Sequence, residues 1–144
     1  MNSDLYLEKN ISQQPAIDLL TAMGYIYISP ADCEKQRGSR YHVLLKDVLR
    51  GQLRRLNRYA YAGAENEFSA ANIERAMEDL DEPLTDGLVR TSEKIYDALL
   101  LGKSYSETVG DGKMLSFNLR YIDWDNPQNN VFHVTEEFAV DSRD

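Results

Sequence analysis

Five carboxylates crowd residues 123–141: Asp123, Asp125, Glu136, Glu137 and Asp141. Residues two apart on a strand share a face, so Asp123 and Asp125 would point alike. One or two such carboxylates with bound water meet the needs of Mg²⁺. Turn capping and a wet sheet edge use the same residue types, and no lysine or histidine stands at a matching offset. No metal ligand and no catalytic residue is therefore assigned among them. The second charged set is basic. Lys46, Arg50, Arg54 and Arg58 recur every four residues, a stripe that drifts about 40° per step around a helix axis. Such a stripe suits a phosphate backbone, with affinity falling steeply as salt rises, and these four are the candidate DNA-binding residues. A solvated face, pairing with the acidic remainder of the chain, or an acidic protein partner explains the same spacing. No aromatic residue interleaves the stripe, which removes specific support for single-strand stacking.

The other reactive side chains carry less. Cys33 is the sole cysteine, so no internal disulfide forms. His42 and His133 are far apart in sequence, with no metal-ligand spacing around either. His133 lies between Phe132 and Val134 on the opposite strand face, where a solvated or capped imidazole is the plain reading. Gly110-Asp111-Gly112 lacks the lysine and following helix of a phosphate-binding loop and favours a hairpin turn instead.

Apolar periodicity places the elements that must position these groups. A helix is predicted over 12–23, capped by Ser12, with Pro15 in its first turn and Ile17, Leu20 and Met23 on one face; Gly24 ends it. A short β-rich run follows at 25–28, and 31–41 lack periodicity and read as a loop. The basic stripe sits on a helix over 43–57, whose apolar face is Leu45, Leu49, Leu53 and Leu56. Residues 59–66 read as a connector. Ser69 caps a third helix reaching residue 80, with Ile73, Met77 and Leu80 inward, and a fourth over 92–101 ends at Gly102. From 103 onward the pattern turns to β, at 105–109, 114–122 and 131–140. The last two flank Asp125-Asn126-Pro127, whose side chains and fixed φ make a turn, so a hairpin or a sheet corner is expected. Helices first and strands second mark an α+β domain, here taken as one domain over 1–144.

The 144 residues bury about two-thirds of their unfolded surface in a domain of this size. No apolar run approaches the roughly 18–20 residues that span a bilayer, and a cytoplasmic protein is expected. The net charge of −8 opposes non-specific DNA binding, but its distribution is uneven. Residues 35–58 carry eight basic groups against one acid, Asp47, and the remainder carries eight basic against 23 acidic groups, so +7 faces −15. An electropositive face on an acidic body follows.

The wording of 122–138, IDWDNPQNNVFHVTEEF, resembles the I-D-[FW]-[DN]-N-P-x-N-N-x-F-x-V signature near the start of the restriction (R) subunit of type I restriction enzymes. Three further stretches agree in order and spacing over about residues 12–140. DLLTAMGY at 18–25 is similar to the family's first helix, ending L-x-x-[LM]-G-Y. LRRLN at 53–57 is similar to its L-R-R-[LI]-N, and LLLG at 99–102 to its L-L-x-G before a long strand.

The resemblance implies an incomplete restriction-endonuclease-like core, with a helical amino-terminal half packed on a small mixed or antiparallel sheet. It implies a parent with a PD-(D/E)xK-type nuclease ahead of an ATP-driven translocase, cleaving double-stranded DNA with Mg²⁺ and ATP alongside modification and specificity subunits. In that family an Asp…Glu-x-Lys set follows the strand corresponding to 131–140. Here no such set and no ATPase motif occurs, and Gln13 and Gln14 stand near a place where many relatives have glutamate. The expectation is an amino-terminal segment that is non-catalytic alone, needs no cofactor of its own, and exposes a strand edge on which a homodimer could form. The alternative is a free-standing interaction module whose basic helix docks DNA or an acidic protein.

Overall fold

Two serines open helices by the same device. The Ser29 hydroxyl accepts from the Asp32 N–H at 3.2 Å and the Ser69 hydroxyl from the Asn72 N–H at 3.2 Å, each satisfying one of the donors a helix start leaves free. The computed structural model describes residues 12–81 and 83–141. These form five α-helices and three two-stranded sheets, an α+β fold, in two compact units: one from residues up to Leu45 with those from Val131 onward, the other Lys46–Asn130. Among the described residues no helix is long and apolar enough to cross a membrane.

In the first unit, α1 (Gln14–Ala22) carries Pro15 in its first turn and buries Ile17. Gln13, not Ser12, holds the N-cap position, and its side chain makes no capping bond. Next comes β1 (Ile26–Tyr27), and α2 (Pro30–Arg37) occupies a stretch read as loop. Its capping signals, Ser29, Pro30 and Gly38 at φ +81°, are sound. Apolar periodicity failed because the buried face is only Cys33 and Arg37. The strand expected over 131–140 is limited to β6 (His133–Val134), which pairs in parallel with β1. Glu137 turns left-handed at φ +50°, which breaks an extended run. The edge on which a homodimer was expected is thus two residues long.

In the second unit, α3 (Lys46–Leu56) and α4 (Ala70–Leu80) contribute Leu53, Ile73, Ala76 and Met77 to one core. The presumed connector between them is a hairpin, β2 (Arg58–Tyr61) with β3 (Ala64–Glu67). Its turn residues Ala62 and Gly63 have φ +50° and +75°, the signs that primed hairpin turns require. Tyr59 stacks on Phe117 at 4.4 Å and meets Phe68 edge-on at 5.4 Å. Helix α5 (Leu88–Leu101) starts a turn earlier than periodicity predicts, and β4 (Lys103–Thr108) pairs antiparallel with β5 (Met114–Leu119). Strand β5 therefore finds its partner upstream, across the Gly110–Gly112 turn, and no hairpin forms between 114–122 and 131–140.

Candidate functional site

The basic stripe is built on α3 and the residue opening β2. Glu74 of α4 lies against it: Arg50 Nε donates to Glu74 Oε1 at 2.6 Å and Nη2 to Oε2 at 3.3 Å, a two-pronged pair, while Nη1 donates to Asp47 at 3.0 Å. The Arg50 bond holds the Glu74 carboxyl below its usual range, with Arg54 and Lys46 adding to the effect. Arg58 pairs with Glu67 at 3.2 Å and also donates to the Arg54 carbonyl at 3.1 Å. Arg54 and Arg58 line a pocket of about 300 Å³ with Glu67, Phe68, Ala70 and Ile73. Among the described residues Lys46 and Arg54 form no ion pair. Half of the stripe's charge is therefore spent internally.

The carboxylates do not converge. Asp123 and Asp125 lie in the second unit and the other three in the first. Among the described residues no group of three His, Cys, Asp or Glu side chains is placed to hold a metal. Asp123 is 3% exposed and fully engaged. Its carboxylate accepts from the Asn126 N–H at 3.0 Å, Asn129 Nδ2 at 3.0 Å and Arg120 Nη1 at 3.2 Å. The Asn129 and Asn126 bonds, with the Arg120 charge, hold its pKa below the ordinary aspartate range. Asp125 is exposed, 3.7 Å from Arg120. Glu136 accepts from the Tyr27 hydroxyl at 3.2 Å, and Glu137 and Asp141 are exposed. His42 and His133 are half-buried and Cys33 is buried. Gln14 bonds Asp18 at 2.9 Å.

Around Asp123 stands a polar knot that residue-type reasoning missed. Asn130 Nδ2 donates to the Asp123 carbonyl at 2.9 Å while its Oδ1 accepts from the Asp123 N–H at 2.9 Å. Asn57, 4% exposed, does the same to Arg120: Nδ2 donates to the carbonyl at 2.7 Å and Oδ1 accepts from the N–H at 2.8 Å. Asn57 also donates to the Leu53 carbonyl at 2.9 Å, closing the end of α3. From α3, Gln52 reaches Asn130 Oδ1 at 3.2 Å and Arg55 the Asn129 carbonyl at 2.8 Å. The LRRLN stretch and the DWDNPQNN stretch are thus two halves of one network. The family described as Type I restriction enzyme R protein N terminus matches residues 5–144.

The chain belongs to this family. Neither the curated proteins nor the solved structures return a match. In this R-protein amino-terminal chain, Asp123, Asn126, Asn129 and Asn130 of the most specific wording are hydrogen-bonded to one another. A second buried network lies nearby: the Tyr105 hydroxyl donates to Asp79, the Tyr121 hydroxyl donates to the Ala76 carbonyl at 2.7 Å, and Lys103 pairs with Asp79 at 3.2 Å. Burial, with the Asp79 bond, pushes the Tyr105 hydroxyl far above its usual range, so it acts as a neutral donor.

Proposed function

We propose that this chain is a scaffold segment of a type I restriction R subunit whose parent cleaves double-stranded DNA with Mg²⁺ and ATP, and that alone it has no nuclease activity. The observation that carries this reading is the engagement of Asp123, the one buried acid of the signature. Its oxygens meet three donors from within the chain, and a carboxylate so used is a poor Mg²⁺ ligand. The donor set present does not fit a nuclease metal, so no catalytic step is assigned to any residue described. DNA and the modification and specificity subunits are the partners of the parent in this reading. The test is incubation of the chain with supercoiled plasmid and Mg²⁺. The plasmid is expected to stay supercoiled; nicking or linearisation abolished by EDTA would overturn the proposal.

A second reading rests on Lys46 and Arg54. With Arg50 and Arg58 held by glutamates, these two remain to meet DNA phosphates or an acidic protein face. Their contribution is sequence-independent and salt-sensitive.

A further inference from the structure

Helix α5 has two distinct sides. Thr91 and Ala98 are buried, and Ala98 belongs to the core of the second unit. On the opposite side of the axis, at about 100° per residue, runs a stripe of Val89, Glu93, Tyr96 and Leu100. Its three large apolar members are exposed, at 70%, 65% and 46% for Val89, Tyr96 and Leu100. Val89, Glu93 and Tyr96 also line, with Leu88, Ser92 and Asp97, a groove of about 650 Å³. A surface helix ordinarily turns polar side chains away from its core, and contiguous exposed apolar surface marks a contact site. The 89–93–96–100 spacing, in steps of four and three, is that of a heptad seam.

The charges beside the seam say what fits it. Arg90 and Asp97 stand seven residues apart on one flank of the stripe, both exposed. Among the described residues neither they nor Glu93 forms an ion pair. A second α5 laid antiparallel on the first sets Val89 opposite the second copy's Leu100. Glu93 then lies beside the second copy's Tyr96, whose hydroxyl is a donor for a carboxylate. The same register brings Arg90 against the second copy's Asp97, and two-fold symmetry repeats the pair. A parallel arrangement instead opposes Glu93 to Glu93 in the seam and matches no opposite charges on the flanks.

We propose that the outer stripe of α5 is a self-association surface, on which a second copy of this chain docks its own α5 antiparallel. The surface is separate from the two-residue β6 edge, and the inference does not depend on the nuclease reading. The 14 residues of α5 span about 21 Å, a short seam compared with obligate interfaces. A reversible dimer with a Kd in the micromolar range is therefore expected.

The test is sedimentation velocity on the whole chain over a range of concentrations. The wild type is expected to pass from monomer to dimer as concentration rises. Val89→Glu changes an exposed side chain and should abolish the dimer at unchanged Tm. Arg90→Asp and Asp97→Arg each turn two attractions into two repulsions, and each should weaken the dimer about tenfold or more. The variant carrying both changes restores opposite charges and should recover most of the wild-type affinity. If Val89→Glu melts early, the charge variants decide alone. A monomer at every concentration overturns the proposal, as does a dimer that survives Val89→Glu. A dimer indifferent to the single charge changes, or one weakened by them and not recovered by the pair, overturns the antiparallel register.

Discussion

Replacing Asn57 by Ala removes three hydrogen bonds at once: those to the Leu53 and Arg120 carbonyls, and the one received from the Arg120 N–H. Each intramolecular bond is worth about 1 kcal/mol net, more when the abandoned group stays out of water. Asn57 is 4% exposed, so a loss of about 3 kcal/mol is expected. With a urea slope of ~2 kcal/mol/M, the unfolding midpoint falls by about 1.5 M at unchanged slope. Trp124 reports the transition, being the only tryptophan and bonded through Nε1 to the Leu99 carbonyl at 2.9 Å in the same unit. Asn57→Asp is the informative companion. It keeps an acceptor for the Arg120 N–H but sets a carboxylate against two carbonyl oxygens with no proton to offer. It should be at least as destabilising as Asn57→Ala. A near-wild-type midpoint for Asn57→Asp, or a cost below ~1 kcal/mol for Asn57→Ala, would refute the claim that the amide donor holds this junction.

Three further outcomes follow from the geometry. The depressed Asp123 pKa contributes stability that is present above the unfolded aspartate value of about 3.9 and lost as pH falls through the lower folded value; Asp123→Asn should remove that part of the acid limb, as urea midpoints across pH 2–5 would show. Gly102 has φ +76°, and a Cβ there would lie 2.3 Å from the Leu119 carbonyl oxygen, so Gly102→Ala should cost roughly 1–3 kcal/mol, and thermal melts of the two proteins check it. If the α3 stripe meets DNA, Arg54→Glu should lower the slope of log affinity against log salt by about one contact, while Arg50→Ala should act mainly on stability; an Arg54→Glu binding curve identical to wild type would remove the stripe from the interface.

How much of this was legible in the sequence depends on which force shapes each element. Helices α3 and α4 were readable because their apolar spacing and the Ser69 cap point the same way. Helix α2 was hidden because a helix that buries a thiol and an arginine shows no hydrophobic period. The β2–β3 hairpin was hidden because its turn is Ala62-Gly63 rather than Asn-Gly, although Tyr59 and Tyr61 alternate as a half-buried strand should. The +7 segment was visible as charge, but composition carries no information on distance. Only the packing of α4 on α3 brings Glu74 to Arg50, and only the hairpin brings Glu67 to Arg58. The family membership was legible through the signature wording, yet the role of those residues was not. Carboxylates near a turn look alike whether they bind a metal or cap a backbone.

Two asparagines take the place of strand partners where the chain leaves β5. Beyond Leu119 the chain leaves the ladder with β4, and the N–H and C=O groups of Arg120 and Asp123 need partners. A neighbouring strand would offer each residue one acceptor and one donor. Asn57 and Asn130 offer the same pair from a side-chain amide, within 2.7–2.9 Å in all four bonds. Aspartate lacks the donor, and glutamine places its amide one methylene farther out. These amides occupy the backbone groups of Arg120 and Asp123, the two residues they bond. The His133–Val134 strand pairs with β1 within the first unit. Within the I-D-W-D-N-P-x-N-N wording, Asn130 thus closes the Asp123 backbone as well as helping to build a turn. Its asparagines are needed for their geometry whether or not any catalytic group stands nearby.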